Sequence, residues 1–153
     1  MAFGRGYLET RTRRAVAERR VFRYLAVTTA GGRIYALGGR RAGYDTNVAT
    51  FESWLPGTKR WRRLPDVPGA RGGTGAAVAA GSLVSVGGEE PAGTIASVYA
   101  WNLVRGGWRR LPDLLTPRHG LGVVAVGARV YAIAGGTSPG LTVSDANEYL
   151  DLR

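Results

Sequence analysis

Two arginines and the only histidine are the side chains best suited to bind an anion. Arg71 and Arg118 each end a segment that begins with Trp-Arg-Arg-Leu-Pro-Asp, and His119 directly follows the second arginine. A guanidinium matches a carboxylate through two parallel hydrogen bonds, so Arg71, Arg118 and His119 are candidate binding residues. The alternative, which we favour, is that the arginines bond neighbouring backbone carbonyls and that His119 faces solvent in a loop.

The composition excludes several kinds of catalytic centre. The chain has no Cys and one His, so it has no thiolate site and too few imidazoles for a typical zinc or iron centre. No spacing indicates a Ser–His–Asp arrangement, and the Gly pairs lack the helix and Lys of a phosphate-binding loop. We therefore expect no metal and no cofactor.

Three segments that follow glycine pairs differ from one another and are candidate recognition loops. They are Arg40–Thr46, Glu89–Thr94 and Thr137–Thr142. Variable loops on a rigid scaffold usually carry recognition, and an aromatic mixed with charges is common at binding hot spots. The candidate binding residues here are Arg40, Arg41, Tyr44, Asp45, Glu89 and Glu90. The alternative is that these segments are plain solvated turns.

An internal repeat must position these residues. Trp61 and Trp108 are 47 residues apart, and so are Arg71 and Arg118. Tyr131 lies 47 residues after Val84, which in turn lies 49 residues after Tyr35. A period in the high forties, with a glycine pair after an apolar run, is typical of propeller blades.

Each period predicts up to four short strands. Two apolar runs flank a glycine-containing turn, as at Gly31-Gly32, which is a strong hairpin signal. A third strand follows at 47–54, 97–101 and 145–150, and a fourth at 60–65 and 107–112. We therefore predict blades at about 25–66, 67–113 and 114–153, the last without a fourth strand.

The repeat resembles the kelch family. Its double glycine corresponds to Gly38-Gly39, to Gly87-Gly88, and to Ala134-Gly135 with Gly136 beside it. Its tyrosine corresponds to Tyr35 and Tyr131, and its spaced tryptophan to Trp61 and Trp108, each seven residues after a third-strand tryptophan, Trp54 or Trp101. The resemblance implies an all-β, partial kelch β-propeller of about 2.75 four-stranded antiparallel blades. We expect the tryptophans to fill the space between blades.

Motif residues build the scaffold, so the resemblance says little about function. The copper chemistry of galactose-oxidase relatives needs a Cys and two His, which this chain does not supply. We expect a non-catalytic scaffold that binds a protein partner. The alternative is a carbohydrate-directed enzyme of mutarotase or isomerase type, or a lectin, in which Arg118 and His119 at the channel mouth contact an acidic sugar.

Fewer than three blades do not close a ring, since propellers have four to eight. Either the chain is the C-terminal part of a larger propeller, the interpretation we favour, or two copies form a six-blade homodimer. The unpaired edge of the third blade invites strand addition.

The N-terminal residues do not fit the repeat. Residues 1–24 form a basic extension, which we expect to be a weak helix or disordered. Its seven arginines and two glutamates give it a net charge of +5. We do not expect nucleic-acid binding, because no recognition motif accompanies the charge. No apolar run is long enough for a membrane helix, and no signal peptide is visible, which favours a cytoplasmic location.

Overall fold

The computed structural model describes residues 23–153, which form an all-β structure with a single short 3-10 helix, Tyr44–Thr46. Within this range the strands form two four-stranded sheets, one three-stranded sheet and a small hairpin, all antiparallel. The predicted all-β fold of antiparallel four-stranded sheets is confirmed. The predicted N-terminal extension lies outside the described residues, except for its last two positions.

The first sheet follows chain order. Its strands are β1 (Ala26–Ala30), β2 (Arg33–Leu37), β3 (Phe51–Trp54) and β4 (Arg62–Leu64). The β1–β2 turn is Gly31-Gly32, with φ of 53° and 71°. Two consecutive positive φ values match the twist of a two-residue hairpin, which is why glycines occupy the turn. Strand β4 ends before Pro65, since proline cannot donate to a ladder.

The second sheet repeats this order around an inserted hairpin. Its strands are β5 (Gly75–Ala79), β6 (Ser82–Val86), β9 (Val98–Asn102) and β10 (Trp108–Leu111). The hairpin pairs β7 (Glu89–Glu90) with β8 (Gly93–Thr94). This segment was expected to be a loop, because a strand of two residues is too short to show an alternating pattern.

The third sheet has three strands. They are β11 (Gly122–Val126), β12 (Arg129–Ile133) and β13 (Asn147–Asp151), in that order. Within residues 23–153, the outer edge of β13 pairs with no other strand. The prediction that this sheet lacks the fourth strand holds for the described residues.

The sheets pack face to face in succession. Strand β5 packs against β1 on one side and β11 on the other. Between the first and second sheets, Phe51 contacts Trp101 and Trp108 at ring-centroid distances of 5.4 and 5.1 Å. Trp108 thus fills the space between sheets, as predicted. Trp61, which holds the same repeat position in the first sheet, stacks on Trp54 at a ring-centroid distance of 6.1 Å.

A second apolar cluster joins the second and third sheets. It consists of small and branched side chains: Ala77, Ala79, Val84, Val86, Val98, Ala100, Leu111, Leu114, Leu121, Val130, Ala132 and Leu152. It has no aromatic member, unlike the cluster between the first two sheets. Aliphatic side chains therefore pack the interface between the second and third sheets, while the interface between the first and second sheets also contains aromatic rings.

The first glycine of each pair lies against the backbone of the next sheet. A Cβ at Gly38 would lie 2.6 Å from the Arg71 carbonyl oxygen, and a Cβ at Gly87 would lie 2.5 Å from that of Arg118. Both glycines also have positive φ. Ala134 holds the same slot in the third sheet at a φ of 54° and is exposed.

We predict that Gly87→Ala destabilises the chain far more than Gly81→Ala does. Both positions have positive φ, but a Cβ at Gly81 meets nothing within 4 Å. Gly81→Ala should cost only the backbone strain, about 1–2 kcal/mol. Gly87→Ala adds a backbone clash and should cost about 3 kcal/mol or more. Urea unfolding of both variants measures the difference, and equal losses would contradict the close-packing role of Gly87.

Candidate functional site

Arg71 is buried and bonds backbone carbonyls. Its side chain is 1% exposed and donates to the carbonyls of Pro68, Gly69, Gly87 and Ser97 at 3.0–3.5 Å and to the Ser97 hydroxyl at 3.0 Å. The guanidinium also lies 5.1 Å from the Tyr99 ring centroid, a favourable cation–π distance. Burial lowers the pKa of Arg71 to about 10, so the side chain stays charged at neutral pH.

Arg118 repeats this arrangement one sheet later. It is fully buried and donates to the carbonyls of Thr116, Ala132 and Ala134, each at 2.9 Å. Its guanidinium also forms an ion pair with Glu148. Glu148 occupies the repeat position in the third sheet that Tyr99 occupies in the second. The residue at this position therefore contacts the buried arginine through a cation–π interaction in the second sheet and through an ion pair in the third.

Glu148 ties the chain before β11 to strand β13. Its carboxylate also accepts hydrogen bonds from the backbone amides of Leu115 and Thr116 at 2.7 and 2.9 Å. Burial alone would raise the pKa of Glu148, but the hydrogen bonds from Arg118 and these amides outweigh it and lower the pKa below its ordinary value.

Neither arginine is placed to bind a ligand at a channel mouth. The favoured alternative, that Arg71 and Arg118 bond neighbouring carbonyls, is what the structure shows. The expectation that His119 faces solvent is wrong, because His119 is buried and exposes 8% of its surface.

A second buried cluster joins three sheets at the ends where their loops emerge. Arg40 follows the first sheet's glycine pair, Glu89 follows the second sheet's, and His119 precedes the third sheet's first strand. They are 3%, 4% and 8% exposed. Isolated bridges hold their backbones: Arg40 pairs with Arg23, Glu89 with Gly72, and His119 with Gly136.

Glu89 is the centre of this cluster. Its Oε1 accepts from Arg40 Nη2 at 2.6 Å and lies 3.4 Å from His119 Nδ1, while its Oε2 accepts from the Gly140 amide at 3.1 Å. His119 Nε2 lies 3.0 Å from the Ser138 carbonyl oxygen. Both imidazole nitrogens thus lie near oxygen atoms of the neighbouring loops.

Two glycines make room for the charged side chains. A Cβ at Gly72 would lie 2.6 Å from Arg40 Nη2, and a Cβ at Gly136 would lie 2.6 Å from His119 Nε2. Gly136 was assigned to the repeat motif, but the structure gives it this second role. Spacing could not show it, because it depends on a side chain from another strand.

The cluster couples three loops, and we call their exposed surface the loop face (residues 40–47, 89–94 and 137–144). Asn47 Nδ2 donates to the Glu89 carbonyl at 2.6 Å, and Thr94 Oγ1 donates to the Thr137 carbonyl at 3.2 Å. Together with the Gly140 amide on Glu89, these contacts join all three loops directly.

The predicted loop residues divide between interior and surface. Arg40 and Glu89 were expected among exposed binding residues, but both are buried because each neutralises the other's charge. Arg41, Asp45 and Glu90 are exposed, and the side chain of Tyr44 lies outside the described part of the chain. Two exposed apolar side chains in the third loop, Leu141 and Val143, were not singled out from the sequence, although an apolar residue in a short polar loop was a visible signal.

The described residues limit the chemistry of this end of the sheets. Within residues 23–153, no three His, Cys, Asp or Glu side chains are grouped so that they could hold a metal ion. Over the same range no helix is long and apolar enough to cross a membrane.

We predict that Glu148→Gln lowers stability and flattens its acid dependence. The lowered pKa stabilises the fold above the ordinary glutamate pKa of about 4.3, and this contribution is lost as pH falls through the folded-state value. Removing the charge leaves buried Arg118 without its counterion, at a cost of about 3 kcal/mol at pH 7.

Thermal unfolding of Glu148→Gln from pH 7 to pH 3 measures both effects. Asp66→Asn, which breaks the exposed Arg63–Asp66 pair, is the matched control and should behave as the unchanged chain. A wild-type melting profile for Glu148→Gln would contradict the assigned role.

We predict that Glu89→Gln loosens all three loops of the loop face together. The change removes the countercharge of buried Arg40 and weakens the contact with the Gly140 amide. Amide hydrogen exchange within 40–47, 89–94 and 137–144 should accelerate by about tenfold or more. Glu90→Gln, at the exposed neighbouring position, should not change it. Faster exchange confined to 89–94 would show that the loops are not coupled through Glu89.

Comparison with known families agrees with this geometry. Residues 22–68 match the family model described as the Kelch motif, and this segment contains the complete first sheet. No curated protein matches the chain at a significant level. The chain therefore carries a Kelch motif at residues 22–68, and its all-β structure of antiparallel sheets is consistent with a partial kelch propeller.

Proposed function

We propose that this chain is a non-catalytic kelch scaffold that binds a protein partner through the loop face. The observation that carries the proposal is that a single buried carboxylate, Glu89, bonds Arg40 of the first loop and the Gly140 amide of the third. Loops held in one arrangement before binding lose less conformational entropy when a partner docks.

The distribution of charge supports binding rather than catalysis. The candidate anion-binding residues Arg71, Arg118 and His119 are buried and engaged in internal contacts, and so are Arg40 and Glu89 of the candidate recognition residues. A catalytic acid or base must instead reach a substrate's proton.

The exposed tips of the loop face suit a protein partner. Leu141 and Val143 are fully or almost fully exposed apolar side chains, and Arg41, Asp45 and Glu90 lie exposed on the neighbouring loops. Apolar anchors surrounded by charged residues are typical of protein interfaces.

The carbohydrate alternative loses its proposed contact residues. It required Arg118 and His119 to face the channel mouth, but Arg118 is fully buried and His119 nearly so. We therefore retain the protein-binding proposal.

Affinity capture with matched variants tests the proposal. We predict that Leu141→Asp or Val143→Asp reduces the amount of retained partner by about tenfold or more relative to the unchanged chain. Val104→Asp is the control, because Val104 is as exposed as Val143 but lies in the β9–β10 turn at the opposite end of the second sheet. Retention that is unchanged by the loop variants, or reduced equally by Val104→Asp, would contradict binding through the loop face.

A further inference from the structure

An open groove of about 500 Å³ lies between the second and third sheets. Its floor is apolar and includes Val86, Val98, Leu114 and Leu150, and its rim includes Pro112. The groove runs beside β13, whose outer edge pairs with no strand in the described range. It is separate from the loop face, so this inference does not depend on the proposed function.

The chain itself shows what fills the equivalent space between the first and second sheets. There, Trp108 of the fourth strand β10 lies across from Trp101 of β9 and packs on Phe51 at 5.1 Å. Its indole Nε1 donates to the Pro65 carbonyl oxygen at 3.0 Å. A fourth strand thus contributes one tryptophan that closes the interface to the preceding sheet.

The groove presents the same receiving surface without the tryptophan. By the repeat, Val98 holds the slot of Phe51, Leu150 holds the slot of Trp101, and Pro112 holds the slot of Pro65. All three line the groove. An indole seated there would pack on Val98 and could donate to the Pro112 carbonyl.

The register of the first sheet favours a basic residue in an added strand. The groove lining contains two carboxylates, Asp113 and Glu148, which already pair with Arg110 and Arg118 of the chain itself. Glu148 also holds the slot of Glu52, which lies opposite Arg63 of strand β4 in the first sheet. An added strand in the same register would place a basic residue opposite Glu148.

Residues 1–153 contain four tryptophans, and all of them pack within the first two sheets: Trp54, Trp61, Trp101 and Trp108. Residues 1–22 contain none. The fourth strands β4 and β10 are already paired in their own sheets, so a second folded copy would have neither to offer.

We propose that this groove binds an extended, arginine-containing segment of a partner protein. The segment adds antiparallel to the free edge of β13 and inserts a tryptophan between the second and third sheets. Backbone hydrogen bonds to the edge strand provide general affinity, and the indole pocket provides selectivity.

A fluorescein-labelled peptide with the sequence of residues 105–113, RGGWRRLPD, is the probe, and fluorescence anisotropy with the full chain is the measurement. We predict saturable binding that weakens by about tenfold or more when the peptide's tryptophan is replaced by alanine. Leu115→Asp in the protein should weaken binding similarly, because Leu115 lines the groove and is 90% exposed. Val104→Asp, at an equally exposed site outside the groove, should leave it unchanged.

Backbone methylation separates strand addition from simple insertion of an indole. N-methyl groups on one alternating set of peptide amides should abolish binding, while the other set is tolerated, since only one edge of an added strand faces β13. Three results would overturn the proposal: absence of saturable binding, binding unaffected by Leu115→Asp, or binding that tolerates both methylated sets. Occupation of the groove by residues 1–22 would produce the first of these.

Discussion

The structure depends on two buried arginines that join neighbouring sheets. The Arg71 carbonyl oxygen accepts from the Gly39 amide of the first sheet at 2.8 Å, while its side chain bonds the Gly87 and Ser97 carbonyls of the second. Arg118 repeats the arrangement, accepting from the Gly88 amide at 2.9 Å. A guanidinium has five donors in a fixed plane, so one residue satisfies several backbone carbonyls that burial would otherwise leave unpaired.

This arrangement explains the glycine pairs and the loops that follow them. Because the arginine carbonyl approaches so closely, Gly38 and Gly87, the first glycines of their pairs, have no room for a side chain. The chain then leaves each sheet from a fixed position, which brings Arg40, Glu89 and His119 together from three sheets. Burying these charges is costly unless they pair, and their pairing holds the three loops of the loop face.

The sequence predicted the features of the fold that depend on neighbouring residues and on the repeat period. It did not predict the contacts between side chains that lie far apart in the chain. The glycine turn at Gly31-Gly32 and the interior position of Trp108 were predictable, because turn geometry and repeat period are local signals. The burial of Arg40 was not, because its partner Glu89 lies 49 residues away and looks like another loop acid. The predicted solvent exposure of His119 failed for the same reason. The groove beside β13 followed only from comparing one interface with the next.

The most direct test of this account is urea unfolding of Arg71→Met beside Arg41→Met, followed by tryptophan fluorescence. Methionine can fill much of the apolar volume at position 71 but leaves the Pro68, Gly69, Gly87 and Ser97 carbonyls without a donor. We predict that Arg71→Met loses about 3 kcal/mol or more of unfolding free energy, while Arg41→Met, at an exposed position, stays close to the unchanged chain. Equal stability of the two variants would contradict the claim that the buried arginines hold the sheets together.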